Sequence, residues 1–139
     1  MRFVGVLLGL LVVVCGGCAT VGEGHIPYNG ELYRKVDEYR KSDAPDRKPF
    51  AEFTDREWDE LYVFDLESVS NEQIEQELGR KVGVGTGNGS LLAYYQDGKV
   101  VHLETSDGGL CSGRYTAGAY VRRGFACWLM DDKYERFSS

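Results

Sequence analysis

The chain has 139 residues, enough for one domain. Its 22 acidic against 16 basic residues give a net charge of −6, the wrong sign for a nucleic-acid binder, which presents a basic surface. Apolar residues make up 42% and aromatics 12%, so a core can be built, and no repeat marks a solenoid or propeller.

The N-terminus reads MRFVGVLLGLLVVV, one Arg followed by an apolar run from Phe3 to Val14. About twelve residues rise about 18 Å as a helix, short of the roughly 30 Å core of a bilayer. This predicts an export signal rather than a span. Gly16 and Gly17 break the run just before Cys18. Cys15 and Cys18 also have the spacing of a redox pair or half a zinc site. A redox C-x-x-C opens a helix inside a folded domain, and a zinc site needs a second ligand pair. Neither context is present, since Cys111 and Cys127 stand far apart with no histidine pair beside them.

The tetrad Cys15-Gly16-Gly17-Cys18 at the end of the apolar run resembles the lipobox of bacterial lipoproteins. Gly16, Gly17 and Cys18 match that pattern, and Cys15 stands where Leu is usual. The resemblance implies a signal peptide over 1–17, cleavage before Cys18, and acylation of Cys18. Ala19 in place of Asp implies the outer membrane, with the domain facing the periplasm. The alternative is a secreted or periplasmic soluble protein cleaved after Ala19. In an oxidising envelope the other two cysteines, Cys111 and Cys127, pair by default, closing a loop worth roughly 3 kcal/mol. Two buried free thiols are the alternative.

Residues 18–30 read as the lipidated Cys and a Gly- and Pro-containing tether, with His25 solvated in it. A single domain over 31–139 follows. Glu31–Ser42 is expected to be a helix with Leu32, Val36 and Tyr39 on its apolar face, and with Glu31–Lys35 and Asp37–Lys41 pairs outside. Pro45 and Pro49 stop it. Glu57–Asp65 is expected to be a strand, with Trp58, Tyr62 and Phe64 on one face and Leu61 and Val63 on the other, so both faces are covered. Ser70–Leu78 is a short helix with a Ser70/Gln73 capping box, Ile74 and Leu78 inward, and Gly79 as its C-terminal cap. WDELYVF followed by SNEQIEQELG is similar to a segment of small uncharacterised bacterial proteins. DLESVS stands where those carry Pro-Tyr-Thr, and the similarity implies no activity.

Ser90–Gln96 and Lys99–Thr105 are strands joined by Asp97-Gly98, a strong hairpin signal. Strands over Arg114–Val121, Phe125–Met130 and Lys133–Phe137 complete a meander. The fold class expected is α+β, with two N-terminal helices on one face of a mostly antiparallel sheet of about five or six strands.

Little in the chain suggests chemistry. GVGTGNG, Gly83–Gly89, is followed by a strand and by no Lys-Ser or Lys-Thr, so it reads as a flexible loop rather than a phosphate cradle. His102 and Glu104 share one face of their strand, which reads as solvated. With Asp107 they would be the only candidate metal or hydrolytic cluster. Asp131-Asp132 reads as a turn. No cofactor is expected. Charge is uneven: ten acids lie between Glu52 and Glu77 against Arg56 alone, while Arg114, Arg122 and Arg123 lie in an acid-free stretch. The acids flanking Trp58 and Tyr62, Asp59 and Glu60 among them, mark a candidate surface for a cationic protein partner. The expected function is therefore a lipid-anchored, protein-binding envelope domain without enzymatic activity. An immunity or inhibitor lipoprotein against an envelope-targeting toxin, or a small hydrolase of envelope polymer or lipid, is the alternative.

Overall fold

The computed structural model describes residues 26–43, 46–83, 88–123 and 127–137. The signal segment, Cys15, Cys18, His25 and most of the Gly-rich loop fall outside them. Among the described residues no helix is long and apolar enough to cross a membrane.

The first helix, α1 (Gly30–Lys41), begins where the Asn29 side chain accepts a hydrogen bond from the Leu32 amide. Its Leu32, Val36 and Tyr39 are all buried, as their spacing predicts. Lys41 pairs with Asp37 at 2.8 Å. Glu31, expected to meet Lys35, pairs with Arg34 instead. A short strand β1 (Arg47–Pro49) and a 3-10 turn (Phe50–Phe53) follow. Of the two prolines expected to stop the helix, Pro45 lies outside the described residues. Pro49 ends an edge strand, a place where its missing N–H is tolerated.

Strands β2 (Glu60–Asp65), β3 (Ser90–Gln96), β4 (Lys99–Ser106) and β5 (Gly113–Thr116) form a sheet of order β4-β3-β2-β5, antiparallel throughout. Asp97 and Gly98 have φ of 52° and 78°, the left-handed pair that a tight hairpin requires. The second helix, α2 (Asn71–Leu78), carries the expected capping box between Ser70 and Gln73, and Gly79 closes it at φ 70°.

The α+β class is as expected, but the arrangement differs from one helix-covered sheet. A second sheet of order β1-β6-β7 is built with β6 (Tyr120–Arg122) and β7 (Leu129–Met130). The strand expected over Arg114–Val121 is broken in two, because Thr116 turns the chain by accepting from the Gly118 and Ala119 amides. The two helices lie on opposite faces of the four-stranded sheet. Leu61, Val63, Leu92 and Tyr94 pack with α1, Phe50, Trp128 and the second sheet. Phe64, Leu91, Ala93 and Leu103 pack with Ile74 of α2. The alternation in β2 requires this: both faces are apolar, so each needs its own cover. Trp58 is a second correction. It precedes β2 and packs on the Leu61/Val63 side, opposite Tyr62 and Phe64. The last expected strand, Lys133–Phe137, is reduced to one bridge between Arg114 and Glu135.

Cys111 and Cys127 form a disulfide with a Cα–Cα distance of 5.6 Å. It ties the segment before β5 to that before β7, beside the buried Trp128.

Candidate functional site

Two clusters of polar and aromatic side chains stand out, one inside the domain and one on its surface.

The inner cluster centres on Glu104 of β4. The expected solvated face is not there: Glu104 is 3% exposed. A buried carboxylate is costly unless hydrogen-bonded, and this one takes bonds on both oxygens. Oε2 accepts from the Tyr94 hydroxyl at 2.8 Å and from Asn29 Nδ2 at 3.1 Å. Oε1 accepts from Asn29 Nδ2 at 3.2 Å and lies 2.9 Å from His102 Nε2. Burial, then the neighbouring carboxylate, pushes the Tyr94 hydroxyl far above the ordinary tyrosine range, so it stays a donor. His102 and Glu104 are thus brought together, as their spacing on one strand face implies. Asp107 is not: its Oδ2 accepts from the Tyr28 hydroxyl at 2.8 Å.

A cleft of about 130 Å³ opens over Glu104, with Lys35 and Arg56 among its walls; His102 and Asp107 do not line it. Among the described residues no group of three or more His, Cys, Asp or Glu is placed to hold a metal. Asp131 is structural as well, accepting from the Thr116 hydroxyl at 2.9 Å and from the Lys133 amide at 2.9 Å.

Asn29 also corrects the reach of the tether. The Thr105 amide donates to the Pro27 carbonyl at 2.8 Å, and the Asn29 amide to the Thr105 carbonyl at 2.7 Å. Residues 27–29 therefore run beside β4 as one more parallel partner, bridged at Tyr28 and Thr105. Ile26 packs into the core on the α2 side.

The surface cluster lies on the α2 face of β2, β3 and β5. Tyr62 and Tyr95 pack with ring centres 4.5 Å apart. The Arg114 guanidinium sits 5.4 Å above the Tyr62 ring and 2.9 Å from Glu77 of α2. Phe137 closes the other side, 5.7 Å from Tyr62. Burial, then Tyr62 and Glu60, push the Tyr95 hydroxyl up to about 12.

Of the four residues read as a candidate partner surface, Glu60 is exposed and Tyr62 half-buried in this cluster. Trp58 is 7% exposed, with its indole N–H on Thr54, so it supports the surface from within. Asp59 is half-buried and accepts from the Asp97 amide at 3.0 Å, which pins the hairpin turn. Sequence reading missed Tyr95, Arg114 and Glu77 as parts of this surface. Their signal was the register of β2 against β3 and β5, which places Tyr62 opposite Ala93 and Arg114. The contrast between an acidic stretch and a basic one is partly internal, because Arg114 pairs with Glu77, and Arg122 lies 3.7 Å from Asp46.

Comparison with known proteins finds no family model that matches the chain, and no match among curated proteins or solved structures.

Proposed function

We propose that the protein is a lipid-anchored envelope protein, acylated at Cys18 and exposed to the periplasm from the outer membrane, whose domain binds another protein. The observation that carries this reading is the Cys111–Cys127 disulfide. A bonded pair fits an oxidising compartment, where the export-type leader would deliver the chain. It also leaves Cys18 as the one mature thiol for lipid.

The binding surface is the Glu60, Tyr62 and Tyr95 cluster, and the exposed acid Glu57 precedes it by three residues in the chain. Half-buried tyrosines held by packing lose little freedom on binding, and flanking acids select a cationic partner. An immunity or inhibitor role would use the same surface. A hydrolytic role is favoured by one observation, the His102–Glu104 contact.

The test has two parts. Mass spectrometry of the protein from native membranes should find an acylated Cys18, and Cys18→Ser should release the protein from them. The anchor reading fails if the variant still sediments with membranes. Glu57→Lys with Glu60→Lys should then abolish retention of the co-purifying partner while leaving the fold intact. Unchanged retention ends the proposed surface. Loss of an envelope-degrading activity on His102→Ala would replace binding by hydrolysis.

A further inference from the structure

The domain edge from which the anchor's tether leaves carries two outward apolar side chains. Among the described residues the exposed large hydrophobics are Tyr28 at 61% and Val101 at 46%. Both lie on the β4 edge, since Tyr28 bridges Thr105 and Val101 belongs to β4 itself. Four residue steps take β4 from Val101 to Thr105, about 13 Å along a strand. Scattered exposed apolar residues are ordinary, but Tyr28 is held in place. Its hydroxyl donates to Asp107 at 2.8 Å, and its ring lies so close over Gly30 that a Cβ there would meet Cε2 at 2.9 Å. The ring is presented outward by a bond at its tip and a missing side chain beneath it.

The chain outside the described residues sets what this edge can face. Seven residues, 19–25, separate Cys18 from Ile26. Eight residue steps reach at most about 28 Å. A domain of this size is about 34 Å across. With its acyl chains in the bilayer, Ile26, where the described chain enters the fold beside this edge, stays within about 28 Å of the membrane, less than the domain's own diameter. So short a link gives a high effective concentration, and a contact too weak to bind alone becomes well populated. Tyrosine suits the headgroup region, with an apolar ring and a polar tip. Charges on the edge are mixed, Lys99 against Asp97 and Asp107, so attraction to anionic lipid is not the driving term.

Together the geometry points to a membrane-docking surface: the β4 edge, with Tyr28 and Val101 outermost, rests on the bilayer that holds the acylated Cys18. This rests on the lipid-anchor reading above. It fixes the orientation of the domain: Tyr95 stands on β3 opposite Val100 of β4, and Tyr62 one strand farther from the membrane-facing edge.

The full-length acylated protein, reconstituted into phosphatidylethanolamine–phosphatidylglycerol vesicles, tests it. Tyr28→Trp adds an indole at the edge, and Ala117→Trp adds one in the exposed β5–β6 turn as a control. Trp58 and Trp128 are buried and serve as a constant background. With brominated lipids, the emission added at position 28 should fall by about half, as expected for a ring at headgroup depth, while that added at 117 stays unquenched. Equal, weak quenching at both positions in protein that floats with the vesicles overturns the docking alone. Protein that does not float, and is not acylated, overturns the anchor reading and the docking with it.

Discussion

Replacing Glu104 by Gln tests whether the buried carboxylate holds the domain together or merely sits in it. The substitution keeps volume and shape. It leaves one acceptor oxygen where two now serve Tyr94, Asn29 and His102 at 2.8 to 3.2 Å. Whichever way the new amide is turned, its N–H₂ faces the Asn29 amide, a donor against a donor. Hydrogen bonds to a charged group contribute about 1.5–3 kcal/mol each, and part of that survives in the neutral contacts. The expected loss is about 2–3 kcal/mol, or a Tm lower by about 8–12 °C at roughly 4 °C per kcal/mol. Thermal and urea unfolding of the oxidised protein at neutral pH would measure it. Tyr94→Phe removes one donor to the carboxylate and should cost about 1.5–3 kcal/mol. The double variant should lose less than the two single losses added, because they share one bond. A Glu104→Gln protein within about 0.5 kcal/mol of the parent, or strictly additive losses, would refute the reasoning.

Three further outcomes follow from other parts of the fold. Gly113 has φ 152°, and a Cβ there would run into the Tyr134 ring and the Glu135 carbonyl, so Gly113→Ala should destabilise by about 2 kcal/mol or more in urea unfolding. Replacing Cys111 and Cys127 together by Ser frees a loop of sequence separation 16 and should lower unfolding free energy by roughly 3 kcal/mol. Intact-mass alkylation of the parent should find neither sulfur reactive. Burial raises the Tyr95 hydroxyl above its unfolded value near 10. Stability should therefore be flat up to about pH 10 and fall as pH rises toward 12, with tyrosinate absorbance appearing in step with unfolding. A full complement of tyrosinate in still-folded protein at pH 11 would contradict this burial.

What could be read from the sequence was what short-range chemistry determines. The Ser70/Gln73 box, the Leu32/Val36/Tyr39 stripe and the Asp97-Gly98 turn each lie within eight residues, and each formed as expected. The misreadings have non-local causes. Trp58 continues the alternation of β2 on paper, but the strand begins only at Glu60, so alternation does not reach it. Arg114–Val121 has no strand breaker strong enough to announce two sheets; the break comes from Thr116 bonds and from the partners each half finds. Glu104 looked like a solvated residue because its strand shows polar, apolar alternation around it. Its burial is decided by Asn29 and Tyr94, which reach it from 75 and 10 residues away. Period-two patterning reports which residues share a face, not whether water reaches that face.

Asn29 gives the sharpest discrimination, because it does two jobs with one amide. Its Oδ1 caps α1 at the Leu32 amide, 3.0 Å away, and its Nδ2 binds both Glu104 oxygens. At an ordinary N-cap Asp serves as well as Asn, so Asn29→Asp should be neutral if capping were the whole role. Here the second oxygen would sit where Nδ2 now lies, 3.1 to 3.2 Å from a buried carboxylate. Two carboxylates so close cannot both stay ionised, and the pair must take up a proton. That proton restores a donor to Glu104, so the fold survives at the cost of holding it. The cost is about 1.36 kcal/mol for each pH unit above an ordinary carboxylate value near 4, hence roughly 4 kcal/mol at pH 7 and roughly 1.4 at pH 5. The sign follows, since a group whose folded value is raised is most stable below its unfolded value and loses stability as pH rises. The variant should approach the parent in acid and diverge from it toward neutrality. A pH-independent difference, or none, would mean that Asn29 caps a helix and does not clasp Glu104, leaving the docked segment held by its backbone bonds to Thr105.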